Sequence, residues 1–88
     1  MYKQWHWYVY IIKCSDGLYY TGLTWDLHNR FEQHKSGNGC RFTAKHGAGE
    51  LVYAEIIDDL TAARFREKQI KDYSRAKKEI LIKNFKGL

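Results

Sequence analysis

Four tyrosines lie within sixteen residues, Tyr8 to Leu23, on both sides of a Ser-Asp-Gly turn. A phenol can donate or accept a proton in a reaction, but its reference pKa of about 10 means that a nearby cation must help it to ionise. Arg30 and His34 follow, four residues apart and therefore on one face of a helix. The planar fork of Arg30 suits a phosphate group, and His34 can exchange a proton near neutral pH. These side chains could together perform acid–base chemistry on a phosphate.

The elements that must position these side chains follow from hydrophobic periodicity. Three stretches rich in β-branched and aromatic residues predict strands, at Trp7 to Cys14, Leu18 to Thr24 and Leu51 to Ile57. Helical spacing predicts helices over 26–36 and 61–73, and a shorter one after Ser74 that carries Ile80 to Ile82. The order β-β-α-β-α-α predicts a single α/β (α+β) domain over 1–88, a sandwich with a small, mostly antiparallel sheet and a core from about 7 to 82.

The segment between the first helix and the third strand is rich in glycine. Residues 37–49 hold four of the seven glycines and predict a loop, with a short ordered piece around Arg41 to Lys45. A zinc site from His34, Cys40 and His46 can be written down, but three ligands at this spacing match no common zinc pattern. Cys14 and Cys40 are therefore expected to be free thiols.

Two turn geometries are open between the first two strands, and they decide which tyrosines share a face. A two-residue loop at 16–17 leaves Tyr10 and Tyr20 on opposite faces of the hairpin. A three-residue loop at 15–17, with a left-handed glycine, puts both phenols on one surface and sets Tyr10 opposite Gly22. This second geometry would leave room above Gly22 for a ligand. The residue types fit either turn.

Five features in chain order resemble the GIY-YIG nuclease superfamily. They are Tyr8-Val9-Tyr10, Tyr20-Thr21-Gly22 ten positions later, Arg30 and His34 on the following helix, and Glu67 on the next. The resemblance covers the chain from about Trp7 to Ile82 and is closest to small members that consist of this domain alone. It implies a divalent-metal-dependent endonuclease that hydrolyses phosphodiester bonds in DNA, with RNA as the other substrate class.

The resemblance also implies a catalytic set of Tyr10, Tyr20, Arg30, His34 and Glu67. Tyr20, or a water that it activates, is the expected attacking or base group, and Tyr10 is expected to orient the substrate or the Tyr20 oxygen. Arg30 should lower the pKa of Tyr20 and bind phosphate, while His34 relays a proton. Glu67 is the expected metal ligand. A lone carboxylate fits one Mg²⁺ or Mn²⁺ ion, which keeps several waters and binds substrate phosphate.

Two positions depart from the family pattern. Tyr8 stands where the first motif usually has glycine, and the asparagine that often follows the catalytic glutamate is missing before Asn84. Ser74, Lys77 and Lys78 are candidates for the phosphate-positioning role of that asparagine. This departure keeps open a second interpretation, in which the protein is a catalytically weak nucleic-acid-binding module.

The net charge of +5 comes entirely from the last quarter of the chain. Residues 1–67 hold eight Lys or Arg and eight Asp or Glu, whereas residues 68–88 hold seven of the first kind and two of the second. Clustered cations bind nucleic-acid phosphates by displacing counterions, although the same cluster can be an ordinary solvated helix face. The predicted nucleic-acid-binding residues are Arg41, Lys45, Lys71, Arg75, Lys77 and Lys78, the last three on a basic C-terminal helix over 75–88.

Each candidate residue also has an ordinary structural use. Strand tyrosines pack in cores, Arg30 and His34 could serve on a helix surface, and Trp25 is expected to pack in the core or at its rim in preference to stacking on a base. The longest apolar run, Trp7 to Ile12, is far shorter than the roughly 20 residues that span a bilayer, and no secretory signal is present. A cytoplasmic protein is therefore expected, without membrane association or an obligate protein partner.

Overall fold

The computed structural model describes residues 6–88, so residues 1–5 of the predicted domain lie outside the described part. The described chain forms the α+β fold that its sequence predicts. The strands are β1 (Trp7–Cys14), β2 (Tyr19–Thr24) and β3 (Ala48–Ile57). The helices are α1 (Leu27–Lys35), α2 (Arg41–His46), α3 (Leu60–Lys71) and α4 (Arg75–Asn84). All strand pairs are antiparallel, in the order β2-β1-β3, which makes β2 an edge strand.

Several boundaries differ from the sequence prediction. The short ordered piece after residue 40 is helix α2, and β3 begins at Ala48 within the predicted loop, because Ala48 pairs with Cys14 at the end of β1. The basic C-terminal helix predicted over 75–88 ends at Asn84. It stops there because Phe85 adopts extended backbone and packs on the hydrophobic core.

The turn between β1 and β2 has the three-residue geometry. The Gly17 N–H donates to the Cys14 carbonyl at 2.9 Å, and Gly17 has a φ of 91°, a conformation that glycine adopts without steric cost. In the resulting register Tyr10 lies opposite Gly22. Because side chains alternate along a strand, Tyr10 and Tyr20 lie on the same face of the hairpin. The interpretation that puts both phenols on one surface is confirmed.

Helices cover both faces of the sheet, and the buried residues form one cluster on each face. The cluster under α3 and α4 contains Val9, Ile11, Tyr53, Ala63 and Ile70. The cluster on the opposite face contains Tyr10, Ile12, Cys14 and Ala54, with Leu27 and Phe31 of α1 packed against it. Tyr10 therefore lies in the layer between the sheet and α1. Within residues 6–88, every helix is too short or too polar to cross a lipid bilayer.

Side-chain caps fix where α1 leaves the sheet. The Asp26 N–H donates to Thr24 Oγ1 at 3.1 Å, and the Asp26 carboxylate accepts the N–H of Asn29 at 3.3 Å. These bonds satisfy free donors in the first turn of the helix. The helix therefore starts directly after β2, which brings His34, near its C-terminal end, over the face that carries Tyr10.

Candidate active site

Tyr10 and His34 form a buried pair at the centre of the site. Each is 1% exposed, and the Tyr10 hydroxyl oxygen lies 2.8 Å from His34 Nε2. A Cβ at Gly22 would overlap the Tyr10 hydroxyl, so the Tyr10 ring itself fills the space above Gly22. The expectation of room for a ligand there is wrong, because the Tyr10 phenol occupies that space. In the free protein, Tyr10 orients His34.

Tyr20 is the more accessible phenol of the pair. Its ring centroid lies 6.4 Å from that of Tyr10 and 5.2 Å from that of His34. Whereas Tyr10 is buried, Tyr20 is only partly buried. The fold therefore brings Tyr10, Tyr20 and His34 into one aromatic cluster and leaves Tyr20 as the member that an incoming group can reach.

Arg30 lies one helical turn before His34 and lines a polar cleft of about 210 Å³. The other residues that line this cleft are Thr24, Trp25, Asp26, Asn29 and Gln33. Burial and the positive charge of Arg30 lower the pKa of His34, and the same charge acts to lower the pKa of both phenols. Arg30 is thus within electrostatic reach of the whole aromatic cluster. Trp25 lies at the cleft rim and is 53% exposed.

Glu67 lies on α3, on the face of the sheet opposite α1. Its side chain is 22% exposed, and its carboxylate lies 3.4 Å from Lys71 Nζ, one helical turn further on. The negative charge of Glu67 contributes to raising the pKa of both Tyr10 and Tyr20. The site therefore has a cation on α1 and an anion on α3, both acting on the same two phenols.

Burial controls the ionisation of the phenols. Burial, contact with Cys40 and the charge of Glu67 raise the pKa of Tyr20 to about 12, and Arg30 opposes this rise without cancelling it. Burial and the proximity of Tyr20 raise the pKa of Tyr10 well above its ordinary value. Arg30 thus acts to lower the pKa of Tyr20, as expected, but the net pKa is raised, because desolvation of the phenolate exceeds the Coulombic attraction.

Comparison with known protein families identifies the domain. A family model described as the GIY-YIG catalytic domain matches residues 6–80, which is most of the chain. The chain belongs to the GIY-YIG family. This membership confirms the resemblance to that nuclease superfamily.

Relatives of this GIY-YIG protein are of similar length. The UPF0213 proteins of Staphylococcus aureus strains Mu3 and N315 are each 45% identical to it over 76 residues, which cover 86% of this chain and 93% of the relative. The solution NMR structure of the UPF0213 protein BH0048 from Bacillus halodurans is similar, with a TM-score of 0.55 and 39% identity. That match covers 89% of this chain and 83% of the other. None of these names states a substrate.

Helix α2 of the GIY-YIG domain supplies contacts that the sequence analysis did not place in the site. Thr43 is 1% exposed, and its Oγ1 lies 2.7 Å from His34 Nδ1. The Phe42 ring centroid lies 5.8 Å from that of Tyr20 and 4.5 Å from that of His46. Phe42 and His46 are four residues apart and therefore neighbours on the surface of α2, which is the one spacing signal that the sequence offered.

The donor atoms in the site fit a hard divalent cation better than zinc. His46 Nδ1 is paired with Asp16 at 2.5 Å and His34 Nδ1 lies 2.7 Å from Thr43 Oγ1, so two of the three proposed zinc ligands are engaged in other hydrogen bonds. In the part of the chain that the structure describes, no group of three or more His, Cys, Asp or Glu residues could hold a metal ion. A single carboxylate, that of Glu67, fits Mg²⁺ or Mn²⁺ held jointly by protein, water and substrate phosphate.

The predicted nucleic-acid-binding residues lie on both sides of the sheet. Arg41 and Lys45 are exposed on α2, whereas Lys71, Arg75, Lys77 and Lys78 lie on α3 and α4 on the opposite face. Arg75 is engaged within the fold, because its guanidinium carbon lies 4.4 Å from the centroid of the Tyr19 ring and its Nη1 donates to the Gly17 carbonyl at 3.0 Å. Lys77 Nζ lies 4.2 Å from the centroid of the Tyr73 ring.

Proposed function

We propose that this GIY-YIG domain is a cytoplasmic, divalent-metal-dependent endonuclease that hydrolyses phosphodiester bonds in DNA. RNA is the other substrate class to be tested. The observation that supports the proposal most strongly is that charges of opposite sign, Arg30 and Glu67, both act on the hydroxyl of a partly buried Tyr20. Phosphodiester hydrolysis requires a proton acceptor near the attacking oxygen and positive charge near the phosphoryl oxygens. The site offers both.

Arg30 would bind the scissile phosphate. It lines an open polar cleft beside the aromatic cluster, and its fork can donate two parallel hydrogen bonds to phosphoryl oxygens. The guanidinium stays protonated at every physiological pH, so it can stabilise the negative charge that develops on these oxygens. A phosphate seated on Arg30 would place the scissile bond next to Tyr20.

Tyr20 would serve as the base or the nucleophile of the reaction. Its pKa of about 12 keeps it protonated in the free protein, so it starts the reaction as a hydrogen-bond donor. To act as a base or a nucleophile it must first lose its proton, and binding of cationic groups near its oxygen would favour this loss. His34 is neutral at pH 7, because burial and Arg30 lower its pKa. It is therefore available as a proton acceptor.

Glu67 would hold the divalent cation together with the substrate phosphate. When bound, such an ion supplies positive charge to the phosphoryl oxygens and the leaving group. The partner of Glu67 in the free protein is Lys71, through a partly exposed pair at 3.4 Å of the kind that contributes little stability. Exchanging this partner costs little, and Lys71 would then be free to pair with a flanking phosphate.

A second candidate function is nucleic-acid binding without efficient cleavage. The high pKa of Tyr20 favours it, as does the missing asparagine in the α3 region. Ser74, one candidate for replacing that asparagine, uses its hydroxyl oxygen to accept the Lys77 N–H at 3.2 Å as the cap of α4. In this alternative the exposed cations would hold the phosphates, and the tyrosine cluster would serve only to stabilise the fold.

Incubation of the purified protein with branched, nicked and linear DNA and RNA, with and without Mg²⁺ or Mn²⁺, separates the two candidates. We expect metal-dependent products that disappear in Glu67→Gln and Arg30→Ala variants. Glu79→Gln is the matched control, because Glu79 also pairs with a helix cation one turn away, at 3.9 Å from Arg75. Salt-sensitive binding without products would support the binding module. Full cleavage by both site variants would refute the proposed catalytic set.

A further inference from the structure

Each ring nitrogen of His34 lies within hydrogen-bonding distance of a hydroxyl group, and the directions of these two hydrogen bonds depend on each other. The ring is 1% exposed, with Tyr10 Oη at 2.8 Å from Nε2 and Thr43 Oγ1 at 2.7 Å from Nδ1. A neutral imidazole carries one N–H, so one ring nitrogen donates and the other accepts. Whichever nitrogen carries the proton fixes the direction of both hydrogen bonds.

The partners of Thr43 and Tyr10 distinguish the two tautomers. The Thr43 hydroxyl can donate to the Cys40 carbonyl at 3.5 Å, and it also lies 3.4 Å from Cys40 Sγ, which can donate or accept weakly; a carbonyl can only accept. With that bond made, Thr43 Oγ1 accepts from His34 Nδ1–H, and the bare Nε2 accepts the Tyr10 hydroxyl proton. The hydroxyls of Tyr10 and Thr43 and the Nδ1–H of His34 then each have an acceptor.

The opposite tautomer leaves a buried donor without a partner. If His34 Nε2–H donated to Tyr10, the Tyr10 hydroxyl proton would need another acceptor. Within residues 6–88, His34 is the one hydrogen-bond partner of that hydroxyl. Tyr10 is 1% exposed, so solvent cannot serve in its place. Unsatisfied buried donors are strongly disfavoured, which selects the tautomer with the proton on Nδ1.

We propose that Thr43 is a positioning residue that holds His34 as its Nδ1–H tautomer, so that the basic Nε2 atom faces the phenols. In the other tautomer the basic nitrogen would face Thr43, away from Tyr10 and Tyr20, and His34 could not take up a proton from the phenol side. The effect of this tautomer on catalysis rests on the proposed nuclease function, whereas the tautomer itself is a property of the free protein.

The first test is the ¹⁵N spectrum of the His34 ring in the free wild-type protein at neutral pH, because protonated and bare ring nitrogens have well-separated shifts. We expect a bare Nε2 and a protonated Nδ1. A protonated Nε2 with a bare Nδ1, or protonation of both nitrogens, would overturn the inference. This result does not depend on whether the protein cleaves nucleic acid, so failure of the proposed function and failure of this inference are distinguishable.

The second test compares two substitutions at one position. Thr43→Val keeps the shape and removes the hydroxyl, so it should produce a mixture of the two His34 tautomers. Thr43→Ser keeps the hydroxyl and should retain the wild-type tautomer. Thr21→Val is the matched control, because the buried hydroxyl of Thr21 has no hydrogen-bond partner among the described residues. Thr43→Val with an unchanged single tautomer, or Thr43→Ser with a lost one, would contradict the positioning role.

In a cleavage assay, the kcat of Thr43→Val should fall in proportion to the fraction of His34 that remains in the Nδ1–H form, while its KM stays the same as that of wild type. A roughly tenfold loss of that fraction should give a roughly tenfold lower kcat, and Thr43→Ser should restore both together. A change in KM alone, or a fall in kcat without a change in tautomer, would show that Thr43 acts in some other way and would overturn the proposal.

Discussion

The Tyr10→Phe substitution isolates the bond at the centre of the site. It removes one hydroxyl and keeps the ring that fills the space above Gly22. His34 Nε2 then loses its partner at 2.8 Å, while its ring remains 1% exposed. The variant therefore leaves a buried polar nitrogen unsatisfied without creating a large cavity.

The expected cost follows from that unsatisfied nitrogen. Leaving a buried hydrogen-bonding group without its partner costs about 1–3 kcal/mol of unfolding free energy. For a domain of this size, each kcal/mol shifts Tm by about 4–8 °C, so the expected fall in Tm is about 4–24 °C. The result should be a clear loss of stability with the fold retained.

Urea and thermal denaturation of Tyr10→Phe and Tyr19→Phe provide the measurement. Tyr19 is the matched control, because its hydroxyl donates to the exposed Glu79 carboxylate at 3.3 Å. Loss of that exposed bond should change the unfolding free energy by no more than about 0.5 kcal/mol. Equal stability of the two variants would show that the buried Tyr10–His34 bond does not exist as described.

Three further predictions concern pH, packing and salt. Burial and Arg30 lower the pKa of His34 below its unfolded value of about 6.5, so below that pH the unfolded chain binds a proton that the folded chain does not. The stability advantage of wild type over His34→Gln should therefore shrink as pH falls from about 7.5 to 5.5. A difference in urea unfolding free energy that stays constant over this range would contradict the prediction. Gly22→Ala should destabilise the protein by about 1–3 kcal/mol, because its Cβ would overlap the Tyr10 hydroxyl, and wild-type stability in the same assay would refute the close packing. Lys45→Ala should reduce the slope of log affinity for DNA against log salt concentration by about 0.9, with little change in stability. Arg75→Ala should lower the unfolding free energy by about 1–2.5 kcal/mol, because it loses its contacts to Tyr19 and Gly17. Equal stability of these two variants would contradict the structural role of Arg75.

Most of the fold could be predicted from local patterns in the sequence. Alternation and helical spacing predicted each strand and the three longer helices. The hairpin register could not be predicted, because Asp16 and Gly17 fit both turn lengths and the choice depends on a bond between Gly17 and Cys14. The start of β3 was missed, because its first residues continue a glycine-rich segment with no clear alternation.

The structure brings the predicted site residues together, but their packing could not be predicted. Family resemblance identified Tyr10, Tyr20, Arg30, His34 and Glu67, and the fold brings them within electrostatic reach of one another. Burial depends on how α1 and α2 close over the sheet, which periodicity cannot show. The raised pKa of Tyr20 and the filled space above Gly22 were therefore not foreseen.

The contacts of Thr43 also depend on tertiary packing. This residue lies in the six-residue helix α2, which is too short to leave a strong amphipathic pattern. A Cβ at Gly39 would overlap the His34 ring, so α2 can approach His34 only because residue 39 is glycine. Sequence alone gives no sign of that approach.

The most direct test of the proposed chemistry compares cleavage by Tyr20→Phe and Tyr19→Phe. These neighbouring tyrosines point to opposite faces of β2, Tyr20 toward His34 and Tyr19 toward Arg75 and Glu79. Each variant loses one hydroxyl from the same strand, so general effects on the hairpin should be similar. Under single-turnover conditions with Mg²⁺, we expect Tyr20→Phe to lose about 10²–10⁴-fold in rate while Tyr19→Phe stays near wild type. Equal rates for the two variants would contradict a catalytic role for the Tyr20 hydroxyl.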